Sequence, residues 1–354
     1  MHFLQFAFGL MTLASTAVAH PEKLSPEKAK REAGLAGRAT GKCAAAIEAR
    51  KEALIAKRSA RLLDRRIEAG MLERSAIYER DELMYTSIQN DTCVLAPDTI
   101  FGPYGVDGEI IRHDLRETSG GQEGFDLFLD IGVIDIETCE PLPQAALTIW
   151  SCNATGTYSG YTGVDPDTVE IMDGWTMRSD GTTDDETFLR GIQITDDEGM
   201  AEFLTLFPGY YASRTTHVHV TVQSNITNGT GYSQSAIQHI GQMFFEEDLI
   251  NSVYELSPYS EHLETLTRVT NSEDSIYSVA NADGYSAMIS VEKIGASYAN
   301  GMVGYITIGV NTSAEALATT GTNVNVLGFL PTVSVASSKF AEATAVDAAD
   351  GYTS

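Results

Sequence analysis

The residues best suited to chemistry lie in one short stretch, Phe207–His219, which reads F-P-G-Y-Y-A-S-R-T-T-H-V-H. It holds two tyrosines, an arginine and two histidines at i, i+2. The histidines open a β-branched run, His217-Val218-His219-Val220-Thr221-Val222. Side chains two apart on a strand share a face, so His217 and His219 project together, as two imidazoles on one metal must. Pro208-Gly209 is turn chemistry and puts Tyr210 and Tyr211 at a bend just before the strand. Arg214, three residues before His217, brings a fixed cation to the metal's edge. An H-x-H pair alone is common by chance. Its weight comes from these neighbours and from an upstream partner, Cys139-x12-Cys152-Asn-Ala-Thr-Gly-Thr-Tyr158-Ser159.

The elements that position these residues read as strands. Asp126–Asp135 alternates, with Leu127, Leu129, Ile131 and Val133 on one face. Ala146–Trp150, Leu189–Thr195, Ala201–Leu206 and residues 217–222 follow, with Asp197-Glu198-Gly199 as a turn and 165–185 as an acidic loop. Ser290–Ile294 and Val303–Val310 are further strands. Short strands punctuated by turns predict a mainly β fold, an antiparallel β-sandwich, over residues 96–331. Before it lies a helical arm, residues 20–95. Ser25-Pro26-Glu27 starts a short helix there, and 40–71 carries an apolar stripe of Ile47, Ile55, Leu62, Leu63 and Ile67. Residues 332–354 are small and polar and read as a low-complexity, disordered or glycosylated tail.

The chain has 354 residues and 43% hydrophobic content, enough for a sizeable core. Its net charge of −26 is uneven: the first 80 residues carry +6 and the remainder −32. So acidic a body excludes nucleic acid and anionic membranes as partners, and a basic arm can dock on it. Residues 1–19, with an apolar run from Phe3 to Leu13 and Ala17-Val18-Ala19, read as a secretory signal. Cys43, Cys93, Cys139 and Cys152 suit an oxidising compartment. The favoured pairing is 139–152 with 43–93, and 93–139 stays open. Sequons at Asn90, Asn153, Asn225, Asn228 and Asn311 fit a secreted glycoprotein.

From Phe101 to Leu249 the chain resembles the intradiol ring-cleavage dioxygenases, most closely the secreted fungal branch related to the protocatechuate 3,4-dioxygenase β chain. The resemblance rests on Gly102-Pro103-Tyr104, Arg112-x-Asp114-Leu115-Arg116-Glu117, Ile149-Trp150-Ser151-Cys152 with Thr157-Tyr158-Ser159, and Phe188-Leu189-Arg190-Gly191-x-Gln193. Pro208-Gly209-x-Tyr211, Arg214-x-x-His217-x-His219 and Gly241-Gln242-Met243-Phe244-Phe245 complete it. Counting from the proline, the family pattern selects Tyr211 rather than Tyr210.

The resemblance implies a non-haem Fe(III) centre held by Tyr158, Tyr211, His217 and His219. The residue types agree, since anionic oxygen suits a hard trivalent cation and imidazole is acceptable to it. Tyr211 is implied as the ligand that leaves and accepts a catechol proton, Arg214 as the stabiliser of developing ring charge, and Gln242 as a donor beside the oxygen site. Arg190 and Gln193 read as supports for the loop under the site, and His113, His239 and His262 as structural or surface residues. The implied activity is cleavage of a catechol between its hydroxyls by O2, giving a muconate-type diacid. The arm offers a route to a homodimer. The alternative is a non-catalytic secreted β-sandwich that binds iron, phenolics or cell-wall polymer.

Overall fold

The computed structural model describes residues 101–117, 122–168, 179–226, 236–282, 286–312 and 334–349, with Thr99 and, in the arm, Ala60, Asp64, Arg65, Ile67 and Gly70. The signal-like 1–19, most of the arm, Cys43 and Cys93 lie outside the described residues. Eight strands form two four-stranded sheets: β1 (Asp126–Asp135), β2 (Ala146–Trp150), β3 (Arg190–Ile194), β4 (Met200–Leu206), β5 (His217–Gln223), β6 (His239–Phe244), β7 (Ser290–Lys293) and β8 (Met302–Val310). The sheet orders are β4-β1-β8-β7 and β3-β2-β5-β6. The mainly β sandwich expected from the strand pattern is present. One pairing departs from it: β1 and β8 run parallel, while the other strand pairs are antiparallel.

The two sheets meet through the faces the alternation picks out. Leu127, Leu129, Ile131 and Val133 are fully buried and pack with Leu147, Ile149, Val218, Val220 and Val222 of the other sheet. Each such side chain stabilises the fold by about 1.5–3 kcal/mol. The opposite face of β1 is also covered, which alternation alone does not foresee. Phe128 lies under the Arg65 guanidinium, 3.7 Å from the ring centroid, and Arg65 pairs with Glu202 at 2.7 Å. So at least one arm cation does dock on the acidic body. The β3–β4 turn is tight: Gly199 has φ +68°, and a Cβ there would meet the Val133 carbonyl at 2.6 Å.

Among the described residues four α-helices follow β6: α1 (Glu247–Tyr254), α2 (Tyr259–His262), α3 (Ser275–Ala280) and α4 (Ser337–Ala349). The last corrects the expectation of a disordered tail. Its sequence is rich in alanine, the best helix former, and its Asp347 carboxylate accepts the backbone N–H groups of His113 (2.8 Å) and Asp114 (3.1 Å).

The favoured disulfide is also corrected. Cys139 is disulfide-bonded to a partner outside the described residues, and Cys152 is a buried free thiol. β2 runs between them, and its five residues extend about 17 Å, whereas a disulfide needs Cα atoms within about 7 Å. Burial pushes the Cys152 thiol up to about 12.

Candidate metal centre

The centre is built on the face of the second sheet that turns away from the inter-sheet core. Strand register sets Arg190, Trp150, His219 and Gln242 in one row: Trp150 is opposite both Arg190 and His219, and His219 is opposite Gln242. Trp150 stacks on the His219 ring at 4.8 Å and 6°. His217 lies two residues along the same face, and its ring is 4.8 Å from that of His219. Val218, Val220 and Val222 point into the core, so the H-V-H-V-T-V pattern fixes the strand's register and aims both imidazoles the same way.

Two turns bring the tyrosines. The Asn153 side-chain oxygen accepts the N–H groups of Thr155 (3.1 Å) and Thr157 (2.9 Å), which shapes the loop ending at Tyr158. The Pro208-Gly209 bend lies directly on that loop: Gly209 N–H donates to the Asn153 carbonyl at 3.1 Å. A Cβ on Gly209 would stand 2.5 Å from the carbonyl oxygens of Asn153 and Ala154, so no larger residue fits there. The bend then separates its two tyrosines. Tyr211 faces the centre, with its ring 5.6 Å from Tyr158 and 5.7 Å from His217. Tyr210 faces the other way, donating its hydroxyl to the Leu266 carbonyl at 2.5 Å and stacking on His262 at 4.5 Å.

The polar tips converge. His217 Nε2 is 3.2 Å from His219 Nε2 and 3.5 Å from Tyr158 Oη, and the Tyr158 and Tyr211 hydroxyls are hydrogen-bonded to each other. All four side chains are buried. His217 Nδ1–H donates to the Thr215 carbonyl at 2.6 Å. A carbonyl can only accept, so the Nε2 lone pair is left facing the centre. Burial, helped by Arg214, holds the His217 imidazole neutral, with its pKa down at about 3. Burial likewise pushes both phenols above their ordinary value, and the nearby Arg214 does not reverse this.

These observations test the fit of a metal. Ligands about 2.1 Å from one ion stand about 3.0–3.4 Å apart, given ordinary metal–nitrogen distances, and the observed separations of 3.2 and 3.5 Å lie in and just beyond that range. Among the described residues no three His, Cys, Asp or Glu come together elsewhere in a metal-binding group, so the tyrosines are needed to complete a donor set. Two phenols that resist ionisation in isolation need a cation of high charge to become phenolates. A hard trivalent ion fits.

Around the donors, Tyr104 stacks on Tyr158 at 4.3 Å and 10° and meets Tyr211 edge-on at 5.6 Å. Buried Arg190 fixes that stack from behind. Its Nη2 donates to the carbonyls of Tyr104 (2.9 Å) and Ser159 (2.7 Å), its Nε to Ser159 Oγ (2.7 Å), and its Nη1 pairs with Glu109 (2.9 Å). Gln193 points off the opposite face of β3 from Arg190. Arg214 donates through Nη2 to Gln242 Oε1 (2.5 Å) and through Nε to Asp274 Oδ2 (2.7 Å). Sequence reasoning missed Asp274. Its only signal was the helix-start pattern T-N-S-E-D-S at Thr270–Ser275, which says nothing of a partner 60 residues away. The remaining described histidines serve structure: His113 contacts Glu202, His262 contacts Asp167, and His239 pairs with Val222 at the far end of β6.

No family model matches the chain, and no curated protein does. Solved structures do. A crystal structure of the dioxygenase Tetur07g02040 matches at 28% identity and TM-score 0.51, covering 63% of this chain and 97% of its own. An intradiol ring-cleavage dioxygenase from Tetranychus urticae matches at 28% identity and TM-score 0.49 over the same shares, 63% and 97%. Catechol 1,2-dioxygenase from Acinetobacter sp. ADP1 matches at 18% identity and TM-score 0.41, over 68% and 69%. Fold and site together define a β-sandwich with a buried Tyr/His cluster. The chain is thus similar to intradiol ring-cleavage dioxygenases, as the sequence motifs lead one to expect.

Proposed function

We propose that the protein is an exported non-haem Fe(III) dioxygenase that opens catechols between their two hydroxyl-bearing carbons. The carrying observation is the convergence of Tyr158 Oη, His217 Nε2 and His219 Nε2 within 3.5 Å, with Tyr211 joined to Tyr158. Non-haem iron is the metal the family implies, and two phenols beside two imidazoles are a donor set that favours its ferric state. When bound, the iron supplies Lewis acidity and draws electron density from a chelating catechol. Overall, one catechol and one O2 give one diacid: the ring C–C bond breaks, both oxygen atoms are retained, and no external reductant is consumed.

The chain's own residues divide the work. Tyr158, His217 and His219 would hold the iron as fixed donors, each positioned by the sheet or by the Asn153 turn. Tyr211 would be the donor that gives way to substrate, with its oxygen taking one catechol proton. Arg214, buried and tied on two sides, supplies positive charge toward the ring as negative charge develops there. Gln242 holds Arg214 from the last strand of the row. Tyr104 and Trp150 wall the centre and exclude water. Export is supported by the signal-like 1–19 and by the disulfide at Cys139.

The test is to load the purified protein with ferric iron, record its visible spectrum, and follow O2 uptake with pyrocatechol, hydroxyquinol and protocatechuate. A tyrosinate-to-iron band with stoichiometric O2 uptake and a conjugated diacid product is expected. A loaded, folded protein that consumes no O2 with any catechol refutes the reading.

A further inference from the structure

We propose that Asp274 is the positioning residue of this centre, a single carboxylate that fixes the direction of the Arg214 guanidinium and, through Thr215, the orientation of His217. Its two oxygens have separate tasks. Oδ1 accepts the N–H groups of Ile276 (2.8 Å) and Tyr277 (3.0 Å) and so caps α3. Oδ2 accepts Arg214 Nε (2.7 Å) and the Thr215 N–H (3.0 Å). A helix cap needs only the first oxygen. The second is spent wholly on the segment that leads from Tyr211 into His217.

Thr215 transmits the constraint. Its N–H is held by Asp274, its hydroxyl donates to Asn271 Oδ1 at 2.8 Å, and its carbonyl accepts His217 Nδ1–H at 2.6 Å. Asn271 is itself tied to the end of β6 and to α1, through its Nδ2 to the Phe245 carbonyl (2.8 Å) and its N–H to Glu247 (3.0 Å). The imidazole therefore takes its tautomer and its tilt from a platform at 271–274, outside the sheet that carries it. Arg214 is fixed from both ends of its fork, by Asp274 at Nε and by Gln242 at Nη2. Asp274 and Arg214 are both buried, so neither has water as an alternative partner. A guanidinium held this way presents charge to the centre without reorganising during reaction.

Asp274→Asn isolates this role. Asparagine caps helices as well as aspartate does, so α3 keeps its cap. The amide that replaces Oδ2 is a donor and faces two donors. The kinetic arm of the test rests on the dioxygenase reading; a second arm does not. In metal-free, ¹⁵N-labelled protein, the Arg214 Nε–H should give a slowly exchanging resonance, assigned by its loss in Arg214→Ala, and Asp274→Asn should abolish it. In iron-loaded protein with pyrocatechol, Asp274→Asn should lower kcat about 10-fold or more with KM changed less than about 3-fold, the pattern of a lost transition-state interaction. Added to Arg214→Ala, the same substitution should lower kcat clearly less than it does in the wild type, because the part of its effect that runs through Arg214 is already lost and only the part through Thr215 and His217 remains.

An Arg214 Nε–H that exchanges as fast as free arginine in the wild type overturns the proposal, whatever the variants do. So does an Asp274→Asn effect on kcat that multiplies fully with Arg214→Ala, as a merely structural role would give. Should Asp274→Asn not fold, Asp274→Ser, which keeps a capping oxygen but cannot reach Arg214, takes its place. If the wild type turns over no catechol, the dioxygenase reading fails and the nitrogen resonance alone decides the role of Asp274.

Discussion

Replacing Arg190 by methionine should destabilise the protein in a pH-dependent way, and the size follows from its surroundings. Arg190 and Glu109 are paired at 2.9 Å with side-chain exposures of 1% and 2%. Burial already raises the Glu109 carboxyl above its ordinary value, with Arg190 pulling it back down. Without Arg190 the carboxyl rises further and is protonated in the folded state. A carboxyl raised on folding costs nothing below its unfolded pKa, and the cost grows as pH rises toward the folded pKa. Taking up a proton at pH 7 by a group of ordinary pKa about 4.3 costs about 1.4 kcal/mol per pH unit, so up to about 4 kcal/mol at pH 7 and about 1 kcal/mol at pH 5. The bare carbonyls of Tyr104 and Ser159 add a pH-independent loss of about 1–3 kcal/mol. Urea unfolding of metal-free protein at pH 5 and pH 7 measures both parts. Glu109→Gln added to Arg190→Met should remove the pH-dependent part. Equal destabilisation at the two pH values, or a Glu109→Gln that deepens the loss, refutes this account of the pair.

Three further outcomes are expected. Tyr158→Phe should weaken the visible band and lower the iron retained after dialysis, since a fixed phenolate is lost; unchanged iron content and colour would contradict its place in the donor set. Tyr211→Phe should keep iron but lower kcat/KM by about 10²-fold, the lower range for a lost proton acceptor, whereas Tyr210→Phe should stay near wild-type activity and cost about 1 kcal/mol of stability for its bond to Leu266; the reverse order would reassign the two tyrosines. Arg214→Ala should leave the resting band in place and lower kcat by about 10²–10³-fold, with Arg214→Lys recovering only part because an ammonium lacks the planar fork; full turnover in the alanine variant would remove Arg214 from the chemistry.

Where local pattern decides structure, the sequence was readable. β1 and β2 fall where the alternation of Leu127–Val133 and the run A-L-T-I-W place them, because a buried face penalises any slip of register. β6 was not read as a strand: H-I-G-Q-M-F has a glycine at its centre, and its apolar residues do not alternate. The parallel contact of β1 with β8 has no local signature, since strand periodicity is the same for either direction. Ser337–Ala349 was mistaken for a tail because its residues are small, yet the helix is anchored by Asp347, one polar residue whose partners lie 233 and 234 positions away.

The site divides along the same line. Tyr211, Arg214, His217 and His219 are close in sequence, so a bend and one strand suffice to bring them together, and the count from Pro208 picks the tyrosine that faces the imidazoles. Tyr158 joined them only through motif likeness; its place beside His217 depends on Gly209 lying against Asn153 and Ala154, a long-range approach that no periodicity reports. Asp274 is the extreme case. Its position follows from the path of α1 and the Thr270–Asp274 turn, and its value to the centre comes from being the counter-charge of a buried arginine. Sequence shows which side chains are able to bind a metal or carry a charge. The partners that make a buried charge tolerable are set by packing, and the carboxylate that pairs with Arg214 comes from the stretch beyond Leu249 where the pattern was weakest.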